Sequence, residues 1–511
     1  MKHANLVRII YFWFLCLITI SCVAKTHAEQ PPTEQPPNIV FIVADDLGMQ
    51  DVGFMGSQYF ETPNLDALAD DSLVFNQAYM YPTCSPSRAA LLTGQQSFRT
   101  GCYNVPVLES GNRRDNIFSK WTIGTEHPLY AQPLSEVGYR ATHIGKWHIV
   151  GPWPEKESDL PLKQKLSQPA NGDMSWLADH QSKKLQRFYP TGRGFVENVG
   201  GTWWGDPARG HEQGYRAVGG GYVTPFKNPF ITKKKKDGWL TDRLTAEAID
   251  FMQRNQQGPF FINLNFYAPH RPSVARSEKL FEHFMHKASD PATGQGQGPA
   301  RKKQEIAAYA TMVSSIDENV GRIIDFLDRS GLRENSIVIF TSDNGFNALQ
   351  SRNDNLRGAK GHVYEGGIRV PAFINWPKQV APSRSEQPIQ GLDFFPTFLE
   401  LAGIEAYPGT LDGDSLVPAM KGKPLDDRAI FLHIASTYKN PPCSIIRKDD
   451  WKLIQFLNTG DVELYNLQTD LKESENRAAE HPEVADAMLR QLVSWRKDNQ
   501  VPLPPSSILD F

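Results

Sequence analysis

The sequence predicts an α/β protein: a large doubly wound domain with a mainly parallel sheet, followed by a small C-terminal α+β subdomain. Three observations predict it. The runs Asn38–Ala44, Phe260–Phe266 and Ser336–Thr341 are continuously apolar or nearly so, as strands buried on both faces are. Helical spacing alternates with such runs through most of residues 38–420, the signature of crossover helices on a parallel sheet. From about residue 428 the texture changes to short strand-like pieces followed by one helix. A chain of 511 residues can bury a large core, and its length suggests two or three domains. Its 54 basic and 57 acidic residues create no global field of the kind that binds nucleic acid.

Taken in order, Lys2 and Arg8 precede an uncharged apolar run, Ile9 to Ile20, too short to span a bilayer comfortably. Small residues follow, ending in Thr26-His27-Ala28, so residues 1–28 read as a cleaved signal peptide and no stable membrane span is expected. Export to a periplasm or the medium follows. Lipid anchoring at Cys22 is a weaker option, because Ile20-Ser21-Cys22 only partly matches a lipoprotein cleavage site. Residues 29–37, rich in proline and glutamine, read as a flexible lead-in. Residues 38–427 then form the main domain and 428–511 the C-terminal subdomain.

Within the main domain, Pro63–Phe75 has helical spacing at Leu65, Leu68 and Ala69. Leu129–Val137 reads as a helix stopped by Gly138, and Tyr139–Ile144 as a short strand leading into Gly145-Lys146-Trp147-His148. Residues 150–238 show little periodicity, and Lys233–Lys236 reads as a solvated loop. Helices are expected over Leu240–Met252 and Lys303–Arg329. In the subdomain, Ser444–Arg447, Trp451–Phe456 and Glu463–Tyr465 read as strands and Pro482–Trp495 as a helix. Of five cysteines, Cys16 and Cys22 lie in the leader, too few remaining for a disulfide scaffold. Whether Cys102 and Cys443 pair stays open.

Several of the apolar strands end in polar groups: Asp45 and Asp46, Lys146 and His148, His270, Asp343 and Asn344. Each has a structural explanation alone, as a helix cap, a surface loop or a turn. In open α/β sheets, however, the ligand crevice lies outside the carboxyl ends of the strands, which would gather all of them on one rim. Three carboxylates and an amide are hard oxygen donors without a thiolate or imidazole cluster, so they suit Ca²⁺ better than zinc, and Mg²⁺ less well than Ca²⁺.

Cys84-Ser85-Pro86-Ser87-Arg88 reads as a loop turning into a helix, with Pro86 in the first turn and Arg88 one turn after Cys84 on the same face. A nucleophile there has backbone donors and the positive end of the helix dipole around it. The stretch Leu356–Pro371 sets Lys360 between Gly358 and Gly361 and continues Glu365-Gly366-Gly367-Ile368-Arg369-Val370-Pro371, a backbone that must turn tightly. Cys-x-Pro-Ser-Arg followed by Leu92-Thr93-Gly94, together with this lysine loop, resembles the type I sulfatases of the alkaline-phosphatase-like superfamily. The Asp-Asp strand end, Gly-Lys-Trp-His, Pro269-His270-x-Pro272 and Asp343-Asn344-Gly345 fall in the same order as in that family, and Trp451-Lys452-Leu453 resembles its C-terminal subdomain.

The resemblance implies that Cys84 is oxidised after translation by a formylglycine-generating enzyme, the hydrated aldehyde being the nucleophile. It implies one Ca²⁺ held by Asp45, Asp46, Asp343, Asn344 and the modified Cys84. Arg88 would hold the hydrate, Lys146 would touch hydrate and sulfate, and His148 would take a proton from the second hydroxyl. His270 and Lys360 would grip the sulfate and assist the leaving oxygen. The implied activity is sulfate-ester hydrolysis, with covalent catalysis dividing one displacement into two. A sulfated carbohydrate is the expected substrate; small aryl sulfates, and phosphatase or phosphodiesterase chemistry on the same fold, are the alternatives. After Gly192-Arg193-Gly194-Phe195 the chain departs from the family pattern. There Trp203, Trp204 and Trp239 are candidates either to stack on sugar or to fill the core, with Arg209, His211 and Arg216 as candidate partners for further anions.

Overall fold

The computed structural model describes residues 35–112, 114–151, 183–207, 221–226, 228, 230–231, 238–288, 300–351, 355–426 and 428–509. The leader, Cys22, Lys233–Lys236, Arg209, His211, Arg216 and most of the 150–238 segment lie outside them. Nine strands form the main sheet among these residues: β1 (Asn38–Ala44), β2 (Leu73–Tyr79), β3 (Arg140–Gly145), β4 (Glu197–Val199), β5 (Phe260–Asn265), β6 (Ser336–Ser342), β7 (Arg369–Asn375), β8 (Ser383–Ser385) and β9 (Ile389–Gln390). Their order is β4-β3-β5-β1-β6-β7-β2-β8, with β9 also paired to β2. Strands β4 through β6 in that order run parallel, while β7 is antiparallel to both β6 and β2. The mainly parallel sheet expected from the apolar runs is therefore present.

Strand β1 shows why those runs do not alternate. Ile39, Phe41 and Val43 pack on one face with Tyr130, Phe394 and Phe398, whereas Val40, Ile42 and Ala44 pack on the other with Leu244, Phe251, Ile306 and Met312. Both faces are covered by helices, so every β1 residue is buried. Each large apolar side chain taken out of water here contributes roughly 1.5–3 kcal/mol, which holds the strand ends rigidly in place.

Strands β10 (Ile430–Ile434), β11 (Cys443–Lys448), β12 (Trp451–Phe456) and β13 (Val462–Asn466) form a second, antiparallel sheet. Ile445, Ile454 and Tyr465 pack toward Tyr79, Tyr81 and Ile368 of the main domain. Ile446, Leu453 and Leu464 pack against Met488 and Leu492 of the helix Pro482–Asp498. Among the described residues no helix is long and apolar enough to cross a membrane.

One expectation is corrected, one strand is added and one open question is answered. The helix read over Pro63–Phe75 ends at Asp70, and Leu73 opens β2. Polar Asp71 and Ser72 bond back to Leu68, closing the helix before the apolar, strand-forming Leu73-Val74-Phe75. Strand β7 was not anticipated, and its Pro371 cannot donate to a ladder. Val370 pairs with Ala78 and Ala372 with Phe75, so Pro371 sits opposite an irregularity in β2 that needs no ladder hydrogen bond from it. Cys102 and Cys443 are buried and not joined by a disulfide: Cys102 Sγ faces Asn104 O at 3.9 Å, and Cys443 lies inside β11 paired with Ile434 and Phe456.

Candidate active site

At the carboxyl end of β1 the chain leaves the sheet through Asp45 and Asp46, both fully buried. Asp46 has φ 65°, a left-handed conformation costing a non-glycine residue about 1–2 kcal/mol. It is held there by its N–H donating to Asp343 Oδ1 (3.2 Å) and by the Tyr309 hydroxyl, 3.0 Å from its carbonyl. The same hydroxyl lies 2.6 Å from Asp51 Oδ2, and Asp51 also accepts from Gly48 N and Ser351 Oγ. Burial pushes the Asp51 carboxyl up despite those hydrogen bonds.

Cys84 is the first residue of the helix Cys84–Thr93, all of it buried, which ends at Gly94 in a left-handed cap. Its Sγ lies 3.6 Å from Asp45 Oδ1, 3.8 Å from Asp46 Oδ1 and 3.0 Å from Lys360 Nζ. Burial pushes the unmodified thiol far up, more than Lys146 and Lys360 pull it down, so a plain Cys84 stays a protonated thiol. Arg88, one turn on, joins three strand ends: it reaches Asp343 Oδ2 through Nε (3.0 Å) and Nη2 (2.8 Å). Its Nη1 donates to Lys146 O and Asn265 Oδ1.

Strand β3 ends at Gly145, whose φ is 100°; a Cβ there would lie 1.7 Å from Asn265 O. That turn delivers Lys146, completely buried, with Nζ 2.6 Å from Asp45 Oδ2. His148, also left-handed at φ 57°, bonds through its N–H to Thr202 O, while its carbonyl accepts from Ser85 Oγ. Gly205 backs its ring so closely that a Cβ would lie 2.8 Å from His148 Cε1. Burial, then Lys146, Arg88 and Lys360, hold the imidazole neutral, far below the usual histidine range. His270 Nδ1 is 2.9 Å from Arg271 O and 3.4 Å from Asp206 Oδ1, and Nε2 is 3.8 Å from Asp46 Oδ2. Burial and the two lysines bring His270 down to about 4.

Lys360 enters from the glycine loop with Nζ 2.5 Å from Asp46 Oδ1. For Asp46, burial favours the neutral acid, but Lys360, His270 and Lys146 outweigh it and keep the carboxylate ionised. Asp343 is pushed up to about 6 by burial and by Asp45, against the pull of Arg88. Asp45, Asp46, Cys84, Arg88, Lys146, His148, His270, Asp343, Asn344 and Lys360 thus lie around the Cys84 helix start, Asn344 Nδ2 donating to Asp46 Oδ1 (2.8 Å). Asp343 differs in detail, since its oxygens are engaged by Arg88 and the Asp46 N–H.

The oxygen donors fit a hard divalent cation, but a thiol and an imidazole stand beside them, which corrects the expectation of an oxygen-only set. Ligand atoms of Asp45, Asp46, Cys84 and His270 lie within 4.8 Å of one another. Among the described residues, Asp46 Oδ2 and Asn344 Oδ1 are buried oxygens without a hydrogen-bond partner. Such orphans cost about 1–3 kcal/mol each unless a cation meets them.

Sequence reasoning missed Asn265, Tyr309, Asp51 and Asp206. Two asparagines, Asn263 and Asn265, inside the otherwise apolar β5 were the available signal for the first; Asn265 also donates to Asn263 Oδ1. Burial decides between the two readings of the tryptophans. Trp203 and Trp204 are only 5% and 2% exposed within the main core, and buried Trp239 donates to Ser315 Oγ and stacks on Tyr222. Their indole faces are core packing, not sugar platforms.

Comparison with known proteins agrees with this geometry. A family model described as Sulfatase matches residues 37–404, and one described as N-sulphoglucosamine sulphohydrolase, C-terminal, matches residues 359–498. The chain is 28% identical to a protein named Sulfatase from Formosa agariphila, covering 95% of this chain and 93% of that one. It is 32% identical to N-acetylgalactosamine-6-sulfatase of Canis lupus familiaris, covering 83% of this chain and 73% of that one. Among solved structures, Ps i-CgsB in complex with k-i-k-neocarrahexaose superposes with a TM-score of 0.69 at 29% identity, covering 92% of this chain and 94% of that one. With the matched model spanning well over half its length and these relatives alongside, the chain belongs to the type I sulfatase family of alkaline-phosphatase-like fold, the sulfuric ester hydrolases.

Proposed function

We propose that this sulfatase removes sulfate from an O-sulfated carbohydrate, using Cys84 as formylglycine and a calcium ion held by Asp45, Asp46, Asp343 and Asn344. The observation that carries the reading is the position of Cys84 Sγ, at a helix N-terminus between two carboxylates and 3.0 Å from Lys360 Nζ. As formylglycine, Cys84 would supply a hydrated-aldehyde oxygen for attack on sulfur, and bound Ca²⁺ would supply positive charge beside it. Lys146 and Lys360, both cationic, are placed to bind sulfate oxygens, and Lys360 to donate a proton toward the departing sugar oxygen. His270 keeps Nδ1 at the Arg271 carbonyl, leaving Nε2 for the sulfate. His148, held neutral, accepts a proton at its imidazole and so helps regenerate the nucleophile. Arg88 fixes Asp343 and the ends of β3 and β5 around them.

The carbohydrate assignment draws on a relative named N-acetylgalactosamine-6-sulfatase and on a neighbour solved in complex with k-i-k-neocarrahexaose. Maturation by a formylglycine-generating enzyme and export through the 1–28 leader complete the reading, with the domain boundary kept at 427/428, just before β10 opens at Ile430. The test is turnover of sulfated galactose, N-acetylgalactosamine and glucosamine oligosaccharides beside 4-nitrophenyl sulfate and 4-nitrophenyl phosphate. Release of sulfate from at least one oligosaccharide with higher kcat/KM than from the aryl ester is expected. Preference for the phosphate or for the aryl sulfate contradicts the assignment.

A further inference from the structure

The segment Arg357–Arg369 carries Lys360 to the site, and side chains at both its ends reach the C-terminal sheet. At the first end, Arg357 Nη1 donates to the Tyr465 hydroxyl (2.8 Å) and to Glu473 O (2.9 Å), with its guanidinium over the Tyr364 ring. At the second, Glu365 N–H donates to Glu473 Oε2 (2.7 Å). Lys452 of β12 places Nζ 3.0 Å from Glu365 Oε1 and 2.8 Å from Glu473 Oε1. Tyr79 Oη and Arg369 Nη1 hold the other Glu365 oxygen. The side chains of Lys452, Glu365 and Glu473 are all completely buried.

A buried ion triad is a weak source of stability, because desolvation offsets most of the attraction and apolar side chains would often serve as well. What it provides is one geometry. The loop between the anchors is folded on itself, with His362 N–H donating to Ala359 O and Gly366 N–H to Arg357 O, and Lys360 N–H donates to Phe346 O (2.8 Å); the triad fixes where that folded loop stands against the C-terminal sheet. Gly358 and Gly361 have φ 77° and 90°, and a Cβ on Gly366 or Gly367 would lie 2.4 or 2.0 Å from backbone oxygens within the loop. From that loop Lys360 delivers its ammonium to both Asp46 Oδ1 and Cys84 Sγ.

We propose that the Glu365–Lys452–Glu473 triad is a positioning device, through which the C-terminal subdomain holds the Lys360 ammonium against Cys84 and Asp46. Lys452 and Glu473 are positioning residues for sulfate-ester hydrolysis, acting only through Lys360. The inference rests on the reading that Lys360 acts on the ester.

A double-mutant cycle in the full, matured chain tests it, using the sulfate ester that wild type cleaves fastest among 4-nitrophenyl sulfate and the sulfated oligosaccharides above. Lys452→Met should lower kcat/KM about tenfold or more in the wild-type background and less than about twofold in Lys360→Ala, because the second change removes what the first misplaces. Glu473→Gln, which keeps size and leaves the Lys452–Glu365 pair, should repeat the pattern more weakly and serves if Lys452→Met does not fold. Arg428→Met, which breaks a half-buried ion pair with Asp393 elsewhere, should cause the same fold-loss in both backgrounds. Equal losses from Lys452→Met and Glu473→Gln in both backgrounds, no loss at all, or non-additivity in the Arg428 control would overturn the proposal. A wild-type enzyme that cleaves no sulfate ester would instead overturn the reading beneath it.

Discussion

Lys360 Nζ lies 3.0 Å from Cys84 Sγ, although 276 residues separate them in the chain. One arrives on a helix N-terminus behind β2, the other on a glycine loop after β6, and neither is set by its local sequence alone. Lys360→Ala should therefore lower kcat/KM on sulfate esters by about 10²–10³-fold, the magnitude of losing a charged donor in a dry site. Lys360→Arg should not restore it, since a planar guanidinium cannot occupy the place of an ammonium wedged between Asp46 and Cys84. Recovery of more than half of wild-type activity by arginine would contradict that geometry.

Tyr309 supports the left-handed Asp46 from behind. Tyr309→Phe removes the hydroxyl shared by Asp46 O and Asp51 Oδ2. It should destabilise the fold by about 1–3 kcal/mol and weaken calcium binding by about tenfold, read by calorimetric titration of the chelator-treated protein. Unchanged calcium affinity would mean that Asp46 needs no such support.

Glu473 makes stability depend on pH. Burial pushes its carboxyl up to about 7, against the pull of Lys452, from an ordinary value near 4.5. Between those values the folded chain binds the proton more tightly than the unfolded one, so this group's contribution falls as pH rises from about 4.5 to 7. Its partner Glu365 is shifted the other way: burial is outweighed by Lys452 and Arg369, so its contribution is lost as pH falls toward its lowered value. Glu473→Gln should thus gain on wild type across that window by an amount on the order of 1–3 kcal/mol, measured by urea unfolding at pH 5 and pH 7.5. A constant difference between the two proteins at both pH values would contradict the assignment.

Trp203→Ala should behave as a core deletion. Its burial beside Trp204 predicts a loss of about 3–5 kcal/mol and a lowered Tm, with kcat/KM at a permissive temperature changed equally on oligosaccharide and aryl sulfates. A selective loss on oligosaccharides would return the indole to the substrate.

What was legible in the sequence followed from local chemistry. Apolar runs buried on both faces named β1, β5 and β6, and polar residues at their ends named Asp45, Asp46, His270, Asp343 and Asn344 before any contact was seen. The strand rule brought them to one rim because parallel strands share a carboxyl end. What was illegible depended on tertiary pairing. Pro371 is tolerated in β7 only because β2 is irregular opposite it, and Tyr309 sits mid-helix with nothing local to mark its hydroxyl. The tryptophans were ambiguous because indole suits both a core and a sugar face. Nothing local marks Lys452 as buried, and only the packing of one sheet on another reveals it so.

Peptide mass spectrometry of the active enzyme tests most directly whether Cys84 works as formylglycine. An aldehyde is expected at position 84, trapped by an aminooxy reagent, in a fraction of molecules that tracks specific activity, with Cys84→Ala inactive and free of aldehyde. A preparation that hydrolyses sulfate esters at full rate while every Cys84 remains an unmodified thiol would contradict it.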